Sequence, residues 1–163
     1  MDETPAQTVG PFLHLALADP ALRDGVGDDD GAAVTLRGTV VDGAGAPVVD
    51  AVVETWQHAG PFTRCPTDAA GVWAVRTRRP PAVPTLDGTP QAPHVVVSIF
   101  ARGLLDRLVT RAYFAGEPSN AADPALAAAG PRAAALIAAA EGPSTYRFDI
   151  RLQGPGESVF FAV

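Results

Sequence analysis

The sequence predicts an all-β protein: an antiparallel β-sandwich with an irregular N-terminal arm and one short helix near 131–141. Three observations predict it. Short runs of β-branched residues recur along the chain, each bounded by Gly, Pro or Asp. The stretch 146–152 alternates, with Tyr146, Phe148, Ile150 and Leu152 on one face and Arg147, Asp149 and Arg151 on the other, as a half-buried strand does. A sustained helix-forming composition occurs at one place only.

Residues 1–31 read as an arm. Pro5, Gly10, Pro11, Pro20 and the run Asp28-Asp29-Asp30-Gly31 are turn and loop formers, interrupted by an apolar stretch at 12–17. Residues 34–41 are the first strand, and 42–47 (Asp-Gly-Ala-Gly-Ala-Pro) are a turn cluster. Residues 52–56 and 72–77 are the next strands. Five prolines between Arg78 and Pro93 make that stretch loop. Residues 94–101 are strongly apolar and extended, 108–114 form another strand, and 159–161 close the chain. The helix begins at Pro131, whose fixed φ suits a first turn, runs through alanines, and stops at Gly142-Pro143. No boundary divides the chain, so 1–163 is expected to be a single domain.

At 163 residues the chain is long enough for a sizeable core. No apolar run reaches the roughly 18 residues of a membrane span, and the acidic start lacks the basic region of a signal peptide, so a cytoplasmic protein without membrane contact is expected. The net charge of −6 argues against nucleic acid as a partner. The single cysteine, Cys65, excludes an internal disulfide and a multi-cysteine metal site, and nothing in its surroundings marks it as activated. Charged residues are 18% of the chain against about 25% in a typical domain, which is compatible with a large buried interface.

Four stretches carry a resemblance. They are 4–14, with Gln7, Thr8, Gly10, Pro11 and Phe12; 36–57, with Gly38, Pro47 and Glu54-Thr55-Trp56-Gln57; 92–114, with Pro93-His94, Phe100-Ala101-Arg102-Gly103 and Arg111-Ala112-Tyr113-Phe114; and 146–161, with Tyr146-Arg147-Phe148-Asp149 and Phe160-Phe161. In this order they resemble the intradiol ring-cleavage dioxygenase family, specifically its alpha subunits. The family fold is a β-sandwich.

Catalytic members of that family hold Fe(III) with two tyrosines and two histidines. Phenolates are hard donors suited to a ferric ion, and the histidines sit as His-x-His because i and i+2 of a strand point the same way. The resemblance places His94 at the first histidine, but Val96 at the second. Val83 stands at one tyrosine, and the other falls in a loop between Gln57 and Thr67 that is short here. Tyr113 and Tyr146 match strand motifs and read as packing residues. His14, His58 and His94 are too scattered to suggest another metal site.

The resemblance therefore implies a subunit that binds no metal and contributes no catalytic residue of its own. It implies a beta subunit as partner, carrying Fe(III), and a small catechol-type substrate, 3,4-dihydroxybenzoate, cleaved with O2. Thr8, Gly10, Pro11 and Phe12 match the arm that crosses the beta pocket; many relatives have tyrosine where Phe12 stands. Arg102 matches an arginine near that pocket, where a guanidinium could pair with the ring carboxylate; its competing reading is a salt bridge at a strand end. Arg111 reads as interface or surface, and Trp56 and Trp73 as core or interface anchors. The competing reading for the whole chain is a stand-alone β-sandwich binding module without catalysis, motivated by the short 57–67 region.

Overall fold

Alternation along each strand assigns its two faces. In the first strand, β1 (Ala33–Val41), Val34, Leu36 and Val40 are buried while Arg37 is exposed. The computed structural model describes residues 17–27, 30–85 and 88–162. The further elements are β2 (Val52–Trp56), β3 (Thr63–Pro66), β4 (Val72–Arg78), β5 (His94–Phe100), β6 (Leu108–Phe114), α1 (Pro124–Ala129), β7 (Ile137–Ala140), β8 (Thr145–Arg147) and β9 (Ile150–Arg151). Tight 3₁₀ turns occupy Pro20–Arg23, Pro118–Ala122 and Gly130–Leu136.

The strands follow one path, β3-β2-β5-β6-β7-β8-β1-β4, with β9 attached to β1. The path folds over on itself, and its two ends, β3 and β4, pack against each other, so the sandwich is nearly closed. Inside lie Leu36, Val53, Trp73, Val75, Val97, Ile99 and Phe114. Gly38 is needed where β1 meets the chain between β8 and β9. A Cβ there would stand 1.9 Å from the Phe148 carbonyl oxygen, and the Phe148 N–H donates to Arg37 O at 2.7 Å.

The all-β, sandwich-like expectation holds, with differences in detail. Pairing is mainly antiparallel, but β1–β8, β1–β9 and β6–β7 are parallel. A four-residue strand, β3, pairs with β2 in the stretch expected as loop. The helix is displaced. The α-helix is Pro124–Ala129, capped by the Asp123 carboxylate, and 130–136 is a 3₁₀ turn. Residues 137–140 are strand: Ile137 and Ala138 pair with Tyr113 and Phe114, then Ala139 and Ala140 with Arg147 and Tyr146. Alanine's helix propensity is worth tenths of a kcal/mol per residue, and closing the sheet with buried Leu136 and Ala138 outweighs it.

A second, smaller core lies on the outer side of β6. Tyr113, Leu126, Leu136 and Ala92 form it, with Phe161 and Val159 packed against it. It covers only one end of the outer sheet face.

Candidate functional site

Strand β5 divides its residues between two environments. Val95, Val97 and Ile99 face the core. His94, Val96 and Ser98 face outward, beside Tyr113, Arg111 and Val109 of β6. The strand ends at Phe100, so this alternation does not extend to Arg102.

At the covered end the polar groups are tied to one another. His94 is 5% exposed. Its Nδ1 lies 2.8 Å from Ala92 O, and its ring centroid is 5.1 Å from that of Tyr113. Burial pushes its pKa below the usual histidine value, so the neutral ring is favoured. The Tyr113 hydroxyl donates to Asp123 at 3.0 Å and accepts from Arg111 at 3.3 Å. Burial pushes this phenol up to about 12, and it stays protonated at neutral pH.

Asp123 joins these elements. It accepts from the Ala92 N–H at 2.8 Å, from Tyr113, and from the Ala125 and Leu126 N–H groups that open α1. Sequence reasoning missed it, although Asp123-Pro124 is a readable helix-start signal. Arg111, expected at an interface or surface, reaches Gln91 Oε1 at 3.0 Å and lies over the Phe161 ring at 5.1 Å.

This donor set does not fit a ferric ion. His94 has Val96 as its outward neighbour, and the nearby phenol is protonated and committed to a carboxylate. No group of three or more His, Cys, Asp or Glu residues converges among the described residues. Val83, matched to a ligand tyrosine, instead makes a backbone bridge to Gln91. His58 lies in an exposed turn.

Tyr146 is buried, accepts a hydrogen bond from Arg79 at 3.1 Å and meets Phe114 edge-on, as a packing residue does. Cys65 is buried, and its thiol donates to Pro66 O at 3.2 Å. Trp73 is core, whereas Trp56 stands 54% exposed on the outer face of β2.

Arg102 sits in the exposed turn after β5. Its Nε is 3.1 Å from the Asp50 carboxylate, and its side chain is 67% exposed. Thr8, Gly10, Pro11, Phe12 and His14 lie outside the described residues.

No family model matches the chain. It is 37% identical to the protocatechuate 3,4-dioxygenase alpha chain of Pseudomonas putida, over 99% of this chain and 96% of that one. It is 34% identical to the alpha chain from Burkholderia cepacia, over 100% and 98%. The beta chain from Burkholderia cepacia is 32% identical over 91% of this chain and 75% of its own. Among solved structures, the dioxygenase domain of a carbohydrate-binding fusion from Streptomyces sp. SirexAA-E superposes with a TM-score of 0.61 at 25% identity, covering 94% and 100%. The Pseudomonas putida alignment runs 194 positions against the 163 residues here, so at least 31 of its positions have no counterpart in this chain.

Proposed function

The chain belongs to the protocatechuate 3,4-dioxygenase alpha-chain family of intradiol dioxygenases, and on that premise we propose that it is the iron-free partner of an iron-bearing beta chain. It is a subunit of an oxidoreductase that uses O2 to cleave 3,4-dihydroxybenzoate between its two hydroxylated carbons, giving 3-carboxy-cis,cis-muconate. The reading that this chain leaves the metal to its partner rests on one observation. The outward face of β5 offers His94 followed by Val96, and the adjacent Tyr113 phenol is held protonated on Asp123. Ferric iron, which would activate the bound diol toward O2, is therefore assigned to the beta chain, where the family's tyrosine and histidine donors are expected.

This chain's own residues bind and shield. Thr8, Gly10, Pro11 and Phe12 would lie across the mouth of the beta pocket. Gly10 allows close backbone approach and Phe12 offers an apolar ring to the substrate. Arg102 would leave Asp50 for the substrate carboxylate. Its exposure makes that exchange cheap, because an exposed ion pair contributes under about 1 kcal/mol.

Co-expression with a beta chain tests this. A tag on this chain should co-purify beta, ferric iron and O2 uptake that depends on 3,4-dihydroxybenzoate, while this chain alone should give neither iron nor uptake. The positions missing relative to the Pseudomonas putida chain favour a second reading, a stand-alone binding module. A stable monomer that never captures beta would establish that one instead. Iron and O2 uptake in this chain alone would overturn both.

A further inference from the structure

The open end of the outer face has its own shape. Three rows of side chains cross β2, β5 and β6: Trp56–Val96–Arg111, Glu54–Ser98–Val109 and, at the edge of β6, Val52–Phe100 with Arg107 beyond. Ser98 is small and stands at the centre, so the taller neighbours leave a groove above it. That groove is lined by Glu54, Trp56, Val96, Ser98, Arg107 and Val109 and has a volume of about 390 Å³, the size that suits a single small ring compound.

Its chemistry is selective. Glu54 is held by Arg64, at 2.5 Å from Nη2 and 2.7 Å from Nε, which cancels its charge. Arg107 pairs with no carboxylate among the described residues, so the groove's uncompensated charge is one guanidinium. Its presence in a chain of net charge −6 is a local feature of the site and not a reflection of composition. Trp56 offers an exposed indole, braced by Phe62 at a centroid distance of 4.7 Å. Val96 and Val109 give an apolar floor, and the Ser98 hydroxyl is a small polar handle.

We propose that this groove is a second, non-catalytic binding site for a small aromatic carboxylate, with the ring against Trp56 over Val96 and Val109 and the carboxylate on Arg107. Planar rings favour contact with an indole, and a guanidinium matches a carboxylate with two parallel hydrogen bonds. The site is formed wholly by this chain and does not depend on the assignment of iron to a partner.

The test is titration of the full chain with benzoate, followed by tryptophan fluorescence and by saturation-transfer NMR. Trp73 is buried, so a fluorescence response reports Trp56. Saturable binding is expected, with a Kd in the millimolar range. Arg107→Ala should weaken it about tenfold or more, the usual worth of a charged hydrogen bond. Trp56→Ala, read by NMR, should weaken it several-fold. Benzamide, the neutral counterpart, should bind about tenfold more weakly. Both substituted residues are exposed, and circular dichroism of the variants should match the parent. Absence of saturable binding, or binding unaffected by either substitution or by removal of the ligand's charge, overturns the proposal.

Discussion

The two ends of the outer face of β5 and β6 differ. At one end, His94, Tyr113, Arg111 and Asp123 are closed over by α1 and the C-terminal segment, with Tyr113 bonded to Arg111 and Asp123 and His94 bonded to Ala92 O. At the other, Trp56, Val96 and Arg107 surround an open groove with the nearly buried Ser98 at its floor. The position that the resemblance matches to a ligand histidine, His94, lies in the covered end, where it is bonded to Ala92 O and where the neighbouring Tyr113 phenol is committed to Asp123 and Arg111. The open end is where we propose that a ligand binds.

The largest test of that contrast is Asp123→Ala. It strands the Ala92 N–H, the Tyr113 hydroxyl and two N–H groups of α1 in a buried site. The expected loss is about 3–4 kcal/mol in urea denaturation, combining a lost cap with buried unsatisfied groups. A loss below about 1 kcal/mol would mean that the covered end is not held by this carboxylate. Tyr113→Phe removes two bonds from the same cluster, the one donated to Asp123 and the one accepted from Arg111, and should cost about 1–2 kcal/mol.

The pH dependence sharpens the comparison further. His94 has its folded pKa lowered by burial, so the unfolded chain binds this proton more readily. Stability should be level above the unfolded value of about 6.5 and fall as pH drops below it toward the folded value, by at most about 1.4 kcal/mol per pH unit. The lowered carboxylates, Asp24, Asp30, Glu117 and Asp149, act near or below the ordinary carboxylate range of about 4, outside this window. His94→Gln should flatten the slope between pH 6.5 and 5, measured by denaturation at fixed ionic strength (window set by the unfolded histidine value). An unchanged slope would place its origin elsewhere.

Much of this was legible from residues alone. The strands at 34–41, 52–56, 72–77 and 108–114 appear within a residue or so of their expected bounds, and 94–101 ends one residue early. Their β-branched runs face a single core, so local pattern and tertiary need agree. The segment 131–141 misled because its alanines favour a helix, while its location between the two halves of the sheet demands extended pairing. β3 escaped notice because four residues with Arg64 and Pro66 carry little periodicity; their partner is β2, specified by the neighbouring chain. The cluster at His94 was half legible. The failed His-x-His spacing is a sequence fact, but the Tyr113–Asp123 bond joins residues ten apart through a helix start. Arg102 lies beyond the end of β5 at Phe100, so the strand's alternation could not assign it a face.

The smallest effect on stability is the most informative about function. Arg102→Ala removes an exposed pair with Asp50, and the unfolding free energy should change by no more than about 0.5 kcal/mol. In the assembled enzyme the same change should raise KM for 3,4-dihydroxybenzoate about tenfold, as a lost charged hydrogen bond does, and should leave catechol, which has no carboxylate, nearly unaffected. Arg102→Lys should recover part of the loss, since it keeps the charge and gives up the paired donors. If KM for both substrates is unchanged, Arg102 is a surface ion pair and nothing more, and carboxylate recognition must come from the beta chain. If both substrates suffer equally, the residue supports assembly and not the ring. Only a difference between the two substrates makes Arg102 part of the pocket, and stability measurements alone cannot produce that distinction.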